Sequence, residues 1–537
     1  MPYVITQNCC KDASCVPACP VDCIRPVGDS AGSPDTDMLY IDPEACIDCG
    51  ACVEECPVDA IHYDEDLPAQ QARFKEINAA YFAHHPLEPA APVSSPSRRA
   101  VSAGPLRVAV VGAGPAACYT ATELLAIDGV HVNMFERLPV PYGLIRAGVA
   151  PDHQNTKSVV RIFENALKSP RFGCYLDTEV GDILTHDDVM AHHHAVVYAV
   201  GAAASRDLGI PGEDLPGSQA AAHFVGWYNG HPDHSAHQFD LRGERAVIVG
   251  NGNVALDIAR VLLMEPQALA RTDIADHALQ TLSDSSIREV VILGRRQLRD
   301  AAFSVGEFLA LGYMPGVQVM VEGADLAARP GDGVDTSIKM AIATDYAGRP
   351  SEPADKRIVF RFGVAPAAVL GTDRVQGVQL VPTDSAGSGA SCVLDTSLLL
   401  RSIGYRGVTP PGLHADATSG AVANDDGRAI DGDGRPLNGV YVSGWIKRGP
   451  RGVIGTNRAC AQATVSRLWD DYQAGRLNSD IAPDGELDEL LAQRGISPID
   501  WAGWKAIDSV ERDRGAAASR PRIKFTSLEQ MRAVAQH

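Results

Sequence analysis

Cysteine is distributed very unevenly along this chain, because nine of the 13 cysteines lie in the first 56 of its 537 residues. Four of them form the run Cys46-x-x-Cys49-x-x-Cys52-x-x-x-Cys56, which Pro57 follows directly. Paired cysteines also bind zinc, but this run crowds together more thiolates than one tetrahedral ion can use. Its spacing is typical of a loop that holds one iron–sulfur cluster and sends its last cysteine to another. The sequence therefore predicts a small iron–sulfur module at the N-terminus.

A shorter element, Cys15-x-x-x-Cys19-Pro20, lies upstream of this run and follows Cys9 and Cys10. Together the two elements resemble two-cluster bacterial ferredoxins, whose halves exchange their last ligands. The resemblance implies two ligand sets: Cys19, Cys46, Cys49 and Cys52 for a [4Fe–4S] cluster, and Cys9, Cys15 and Cys56 for a second cluster.

The N-terminal half departs from the eight-iron pattern, because it does not repeat C-x-x-C-x-x-C. It is more similar to the seven-iron type, in which three cysteines hold a [3Fe–4S] cluster, although the spacing from Cys9 to Cys15 is short. Cys10 is an alternative ligand, so the second cluster stays open between [3Fe–4S] and [4Fe–4S]. We expect Cys23 to be a buried cysteine that binds no metal.

Charge and hydropathy exclude several classes of function. The chain has 47 basic and 67 acidic residues, and residues 1–66 alone carry 14 acidic and two basic side chains. This balance argues against a partner such as nucleic acid or an anionic membrane. There is no apolar run long enough for a transmembrane helix, and no signal-peptide pattern, so we expect no membrane insertion and a cytoplasmic location.

Beyond the iron–sulfur module, the chain reads as a linker followed by two nucleotide-binding units. Residues 67–105 are rich in Pro, Ala and Ser, which predicts a linker with some local structure. An apolar strand then enters Gly112-Ala-Gly114-Pro-Ala-Ala117, where a helix begins, and Glu136 ends the next strand. This strand–turn–helix pattern predicts a dinucleotide site, with the acid accepting ribose hydroxyls of FAD or NAD.

The same pattern recurs at Gly250-Asn251-Gly252-Asn253-Val254-Ala255, so two dinucleotides are expected. The ribose-binding acid is not evident here. A later strand, EVVILGRR, instead places Arg295 and Arg296 at its C-terminal end. Two adjacent guanidinium groups suit a 2′-phosphate, which indicates NADP(H) rather than NAD(H). The alternative is two solvated arginines at a strand end.

From residue 106 to 537 the chain resembles an adrenodoxin-reductase-type ferredoxin–NADP⁺ reductase. The matching segments are VAVVGAGPAA, ERLPVPYGLIRAGVAPDH, IPGEDLPGS, VIVGNGNVALDIAR, GRR with AAFSVGE, and VSGWIKRGPRGVIGTN. With its N-terminal module, the whole chain resembles a fused ferredoxin/ferredoxin–NADP⁺ reductase. This implies a small α+β two-cluster ferredoxin (1–66), the linker, and an α/β two-dinucleotide flavoprotein. The implied FAD-binding parts are 106–206 and 410–537, the latter with the C-terminal tail, and 207–409 is the inserted NADP-binding domain.

The resemblance also implies site residues. Implied FAD contacts are Gly114, Glu136, Leu144, Val180, Trp445, Gly452, Val453 and Ile454. Implied NADP(H) contacts are Asn251, Gly252, Asn253, Val254, Arg295, Arg296, Glu307 and Gly452. His153 matches an active-site histidine of the family, and in some relatives its acidic partner lies one turn beyond Glu307, at the position of Ala310 here. Hydride transfer needs no acid–base residue, so the sequence assigns no catalytic side chain and leaves His153 and Glu307 as the two candidates.

The sequence thus predicts an oxidoreductase that moves electrons between NADP(H), FAD and iron–sulfur clusters, to or from a ferredoxin or another electron-transfer protein. Two alternatives are an electron-input subunit resembling the flavoprotein of glutamate synthase, and a redox carrier or sensor without turnover. His192 to His194 and the loop histidines His231, His234 and His237 are expected to be solvated rather than metal-binding.

Overall fold

The computed structural model describes residues 2–26, 36–87, 99–102, 104–181, 184–327, 329–349, 356–383 and 391–536. The strands are β1 Tyr3–Ile5, β2 Ile24–Arg25, β3 Tyr40–Ile41, β4 Ile61–Tyr63, β5 Leu106–Val111, β6 Val130–Glu136, β7 Phe172–Leu176, β8 Ala195–Tyr198, β9 Ala204–Ser205, β10 Ser218–Ala220, β11 Arg245–Val249, β12 Glu289–Gly294, β13 Val317–Glu322, β14 Lys356–Phe362, β15 Val364–Leu370, β16 Gly377–Pro382, β17 Cys392–Asp395, β18 Leu398–Arg401, β19 Tyr405–Arg406, β20 Asn424–Asp425, β21 Arg428–Ile430 and β22 Pro436–Val442.

The helices are α1 Cys15–Ala18, α2 Ala51–Glu54, α3 Phe74–His84, α4 Pro115–Leu125, α5 Leu144–Ala147, α6 Gln154–Lys157, α7 Arg161–Leu167, α8 His186–His192, α9 Ala221–Asn229, α10 Asn253–Leu263, α11 Pro266–Leu269, α12 Asp276–Ser283, α13 Val305–Leu311, α14 Val334–Gly348, α15 Trp445–Arg448, α16 Thr456–Gln473, α17 Glu486–Gln493, α18 Trp501–Ala517 and α19 Leu528–Ala535. Single 3₁₀ turns occupy Asp64–Asp66, Ser158–Val160 and Leu298–Asp300. No helix of the described residues is long and apolar enough to cross a membrane.

The N-terminal module is built from two short antiparallel strand pairs, β1 with β4 and β2 with β3. Helix α3 packs on these strands, although it falls inside the predicted linker. The side chain of Asn78 on α3 accepts from the N–H of Ile5 (3.3 Å) and of Ile41 (2.9 Å), and it donates to the carbonyl of Ile5 (2.9 Å). Phe74 and Tyr81 of α3 are buried. Part of the predicted linker is therefore a packed helix.

The first large sheet has seven strands in the order β20-β21-β22-β8-β5-β6-β7. Strands β7, β6, β5, β8 and β22 are parallel, and the apolar residues of β5 and β8 are almost wholly buried. Strand β22 occurs much later in the sequence than the other parallel strands of this sheet. The chain therefore leaves this unit after β8 and returns to it near β20 to complete the sheet.

The second large sheet lies within that excursion, with six parallel strands in the order β10-β18-β11-β12-β14-β13. Buried parallel strands are expected to be continuously apolar, as β12 is along most of its length. Strands β9 and β19 pair antiparallel, Tyr405 opposite Ser205, where the chain passes between the two units. This crossing lies close to the ends of the predicted insertion, 207–409.

The C-terminal tail, in which the sequence shows no chemical motif, forms helices that pack on the first unit. Glu511 of α18 is fully buried, and it pairs with Arg146 at 2.5 Å and with Arg522 at 3.1 Å. Lys524 is also buried and pairs with Asp273 of the inserted unit at 3.0 Å. The tail is therefore part of the core that holds the two units together.

Candidate functional site

A cavity of about 500 Å³ lies where the first unit, the inserted unit and the N-terminal module meet. Many of the predicted site residues line it: Gly112, Gly114, Glu136, Leu144, His153, Asn253, Val254, Glu307, Trp445, Gly452, Val453 and Ile454. The N-terminal module contributes Gln7, Asn8, Cys9, Cys10, Asp37, Met38 and Tyr40 to the same wall. The sequence did not predict this contribution, because it depends on how separate parts of the chain dock.

The first glycine-rich turn has the geometry that a dinucleotide pyrophosphate requires. Gly112 has φ +103°, and a Cβ there would lie 2.7 Å from the carbonyl oxygen of Ala199. Gly114 precedes α4 and faces open space, since a Cβ there would meet no atom within 4 Å. Ala117 is fully buried beneath the turn. A phosphate can therefore approach the N-terminus of α4, where backbone N–H groups attract anions.

Glu136 is held at the end of β6 by the turn that it faces. Its carboxylate accepts hydrogen bonds from the N–H of Ala113 (2.9 Å) and of Leu138 (3.1 Å). Burial raises the pKa of this carboxyl group, and the two N–H groups act in the opposite direction. The carboxylate thus lies beside the glycine-rich turn that contains Gly114, which is where a group that binds ribose hydroxyls must lie. These residues fit FAD.

The second turn repeats this arrangement in the inserted unit. Gly250 has φ +106° and lies against the carbonyl oxygen of Ser402, while Gly252 faces open space before α10. Arg295 and Arg296 follow β12, which pairs with β11, so both arginines lie at the edge where this turn begins. They are exposed, and among the described residues no carboxylate pairs with either guanidinium group. These residues fit the phosphates of NADP(H).

Not all predicted contacts are brought to the cavity. Val180 packs against a hydrophobic cluster of the first sheet and does not line the cavity. Asn251, Gly252, Arg295 and Arg296 lie outside the cavity wall, on the side of the inserted unit. A dinucleotide is long enough to extend past such a wall, but the structure does not place these residues around the cavity itself.

His153 belongs to a buried charge cluster centred on Arg260, which the sequence analysis did not single out. The Nε2 atom of His153 lies 2.7 Å from Nη2 of Arg260 and 3.8 Å from Oε1 of Glu307. Arg260 also pairs with Asp152 and Asp257, each at 2.6 Å. The acid that faces His153 is therefore Glu307 itself, and the departure at the predicted partner position does not leave the histidine without a carboxylate.

The charges in this cluster act on one another's protonation. Burial raises the pKa of Asp152, but Arg260 and the other groups around this carboxylate together outweigh burial and lower that pKa. Burial does raise the pKa of Asp257. The motif NVALDIAR could have indicated this cluster from the sequence. It places Asp257 and Arg260 one turn apart on α10, with their side chains on the same face.

One group of cysteines lies directly beside the cavity. We name Cys9, Cys15 and Cys56, with Cys10 next to them, the near cysteine site; they surround one small cavity of their own. Cys9 Sγ accepts from the N–H of Lys11 (3.4 Å) and of Leu39 (3.5 Å), and Cys56 Sγ accepts from the N–H of Ala60 (3.3 Å). Backbone N–H groups directed at sulfur favour the thiolate form that binds iron.

The second group is the far cysteine site, which surrounds another small cavity and consists of Cys19, Cys46, Cys49 and Cys52. Cys23 is buried, with its Sγ 3.4 Å from Sγ of Cys19. Cys49 is exposed, and so are Ile47 (59%) and Val21 (37%) beside it. The two sites match the two predicted ligand sets in membership, and each offers the three or four thiolates that a cluster requires.

The N-terminal module is docked on the other two units by specific contacts. The N–H of Gly455 donates to the carbonyl oxygen of Cys10 at 2.8 Å, and Arg458 donates to the carbonyl of Asp12 at 2.9 Å. Arg73 of the module forms an ion pair with Asp345 of the inserted unit. The module therefore contacts both nucleotide-binding units at once.

The fold and the site define a class: a two-dinucleotide flavoprotein oxidoreductase that carries its own ferredoxin-type module. A family model described as pyridine nucleotide-disulphide oxidoreductase matches residues 106–296, and one described as a 4Fe-4S binding domain matches residues 39–62. The chain is 48% identical, over its full length and 95% of the relative, to a probable ferredoxin/ferredoxin–NADP reductase of Mycobacterium bovis. It therefore belongs to the fused ferredoxin/ferredoxin–NADP reductase family.

Two further relatives match the part without the module. The NADPH-ferredoxin reductase FprA of Mycobacterium tuberculosis is 43% identical over 80% of this chain and 98% of its own. The mitochondrial NADPH:adrenodoxin oxidoreductase of Arabidopsis thaliana is 38% identical over 81% of this chain and 96% of its own. A solved structure of Mycobacterium tuberculosis FprA in complex with NADPH covers 81% of this chain and 100% of its own, with a TM-score of 0.75. The predicted family, fold class and cofactor types, FAD, NADP(H) and an iron–sulfur cluster, are confirmed.

Proposed function

We propose that this ferredoxin–NADP reductase passes electrons in a fixed order, with the near cysteine site next to the flavin and the far cysteine site at the surface. The observation that carries this order is the cavity wall: Cys9 and Cys10 line the cavity together with Gly114, Trp445 and Ile454. No cysteine of the far site lines it. The near site is therefore the closer of the two to the flavin position.

When bound, FAD exchanges a hydride with the nicotinamide, and the clusters carry single electrons. The chain's own residues position these groups. Gly114 and Glu136 hold the FAD pyrophosphate and ribose, and Asn253 and Val254 hold the NADP(H) pyrophosphate. Helix α16 begins just after Gly452, Val453 and Ile454, so its N-terminal dipole favours negative charge at this end of the cavity. Arg260 fixes the orientation of His153, and we assign both His153 and Glu307 to nicotinamide positioning.

For the near site we propose Cys9, Cys15 and Cys56 as ligands, with a [3Fe–4S] cluster. Cys9 Sγ accepts hydrogen bonds from two backbone N–H groups, those of Lys11 and Leu39, whereas the backbone N–H that acts on Cys10 is that of Asp12. Cys10 is instead engaged through its backbone, since its carbonyl oxygen accepts from Gly455. Three thiolates suit a cluster with three iron atoms, and a fourth would be needed for a cubane.

The partner that we propose for the far site is a ferredoxin or another electron-transfer protein with a basic surface. Glu44, Glu54, Glu55 and Asp59 are exposed on the segment that carries the far-site cysteines. Their charge complements a basic partner and speeds its encounter, while Ile47 and Val21 offer apolar contact around the cluster. The full-length match to a fused reductase favours this function over a glutamate-synthase-like subunit or a sensor without turnover.

The test compares two electron acceptors for NADPH oxidation. Cys46→Ser removes a far-site ligand and should strongly slow reduction of cytochrome c, while reduction of ferricyanide, which can draw electrons directly from the flavin, should stay close to that of the unaltered protein. Cys392→Ser changes an exposed cysteine of β17 and should alter neither activity. If Cys46→Ser reduced cytochrome c at the normal rate, with the far cluster shown by electron paramagnetic resonance to be lost, the order would be contradicted.

A further inference from the structure

Three histidines outside the redox sites come together between α9 and the loop that follows it. His223 lies on α9, and His234 and His237 lie in the loop. Each offers one ring nitrogen, and these three atoms lie within 4.8 Å of one another. The ring centroids of His223 and His237 are 4.8 Å apart. We expected the loop histidines His231, His234 and His237 to be solvated, but these three and His223 are only partly exposed.

The backbone holds these side chains in place without help from a ligand. Gly226 of α9 makes room for His234, because a Cβ at this position would overlap the imidazole ring. In the loop, the N–H of His237 donates to the carbonyl oxygen of His234 at 3.1 Å. Ser235 Oγ donates to the carbonyl oxygen of Thr526 at 3.2 Å, which ties the loop to the C-terminal segment.

Among the residues that the structure describes, none forms a hydrogen bond with the ring nitrogens of this cluster. Nδ1 of His234 is buried and has no hydrogen-bond partner among the described residues, and within those residues no hydrogen bond is made by the rings of His223 and His237. A buried polar atom without a partner requires an explanation, such as a bound ion.

We propose that His223, His234 and His237 bind a divalent first-row transition ion of the Zn²⁺ class, with water completing its coordination. Three imidazoles suit such ions, whereas Mg²⁺ and Ca²⁺ prefer carboxylate and carbonyl oxygens. The nearest acid in the loop, Asp233, is engaged with Arg137 at 2.7 Å. Since His231 and Pro232 of the same loop line the dinucleotide cavity, a bound ion stabilises one wall of that cavity.

The experiment titrates Zn²⁺ into untagged, chelator-treated holoprotein that keeps its iron and flavin, in a Cys392→Ser background so that the exposed thiol does not compete. We expect one equivalent of Zn²⁺ by isothermal calorimetry and by metal analysis after dialysis. His234→Gln and His237→Gln should each weaken its affinity on the order of tenfold or more, because each removes one of three ligands. His414→Gln, an exposed histidine elsewhere in the chain, is the matched control and should bind normally.

Two outcomes would overturn the proposal. One is no saturable Zn²⁺ binding by the protein that keeps all three histidines, and the other is an equal affinity for Zn²⁺ in His234→Gln and in the His414→Gln control. Gly226→Ala provides a test that removes no imidazole, since the added methyl group displaces the ring of His234. It should also weaken Zn²⁺ binding. Retained flavin absorbance and far-ultraviolet circular dichroism show that each variant is folded. The binding readout does not depend on electron transfer.

Discussion

The backbone N–H of Gly455 donates a hydrogen bond of 2.8 Å to the carbonyl oxygen of Cys10. Cys10 is next to Cys9 of the near cysteine site, and Gly455 is next to Ile454, which lines the dinucleotide cavity. This hydrogen bond therefore connects the near cysteine site with the cavity wall of the first unit. A Cβ at position 455 would overlap the backbone of Lys11, and this close approach therefore requires glycine. The N-terminal module is part of the cavity wall as well as a domain joined by a linker.

Arg295 and Arg296 are expected to set the preference for NADPH. Changing both to Ala should weaken NADPH use on the order of tenfold or more, since each charge-assisted hydrogen bond is worth about 1.5 to 3 kcal/mol. NADH use should change little. Steady-state kcat/KM for both nucleotides, with ferricyanide as acceptor, measures the effect, and Arg374→Ala is the control at an exposed position. An equal loss for both nucleotides would disprove the assignment to the 2′-phosphate.

Arg458 is expected to hold the module against α16. It donates to the carbonyl oxygen of Asp12 and pairs with its buried carboxylate at 3.4 Å. Arg458→Ala should therefore slow NADPH-dependent reduction of cytochrome c and increase hydrogen exchange of the segment around Cys10, while ferricyanide reduction is retained. Arg467→Ala on the same helix, whose partner Asp426 is exposed, should show neither effect. Unchanged exchange in Arg458→Ala would mean that other contacts suffice for docking.

Deleting residues 1–105 should leave a reductase that still binds FAD, because the two glycine-rich turns and Glu136 all follow this point. The truncated protein should reduce ferricyanide but should reduce cytochrome c slowly. The deleted residues share a hydrophobic cluster with the inserted unit, where Phe74 lies beside Gly306, so their loss exposes apolar surface and we expect a lower Tm. Flavin content, both activities and thermal unfolding are the measurements. Full activity toward cytochrome c, with no ferredoxin added, would favour a docking or sensing role for the module.

Glu511 is expected to be a major contributor to stability. Burial opposes ionisation of this carboxyl group, but Arg146, Arg522 and the N–H of Phe525 together outweigh burial and lower its pKa. Glu511→Gln leaves Arg146 without its buried partner, which costs about 3–5 kcal/mol in the free energy of unfolding. Urea unfolding measures this loss, and Glu529→Gln, at an exposed position, should change it by less than about 0.5 kcal/mol.

The same ion pair predicts a pH dependence with a definite sign. Because the pKa of Glu511 is lower in the folded protein than its ordinary value of about 4.3, its contribution is complete above that value. It declines as the pH falls toward the folded pKa. The difference in stability between the unaltered protein and Glu511→Gln should therefore be constant near neutral pH and shrink in acid. A difference that grew in acid would contradict the assigned sign.

Sites whose residues lie close together in the sequence could be predicted from it. The spacing of nearby residues indicated the dinucleotide turn with Gly112, Gly114 and Glu136, and the spacing of the cysteines indicated the far site. Arg260 was missed because its role depends on Asp152, which lies 108 residues away and reaches it only through folding. The buried pair of Arg146 and Glu511 is separated by 365 residues, and no local pattern predicts it.

The paired strands β9 and β19 make the only β-pairing between the two units among the described residues, and a two-stranded connection of this kind permits rotation. The N-terminal module bridges that joint, since Cys10 bonds to the first unit and Arg73 pairs with the inserted unit. A rotation of the two units against each other would strain these contacts as well as the buried ion pair of Lys524 with Asp273. The seating of the electron-carrying module is thereby linked to any relative motion of the two nucleotide-binding units.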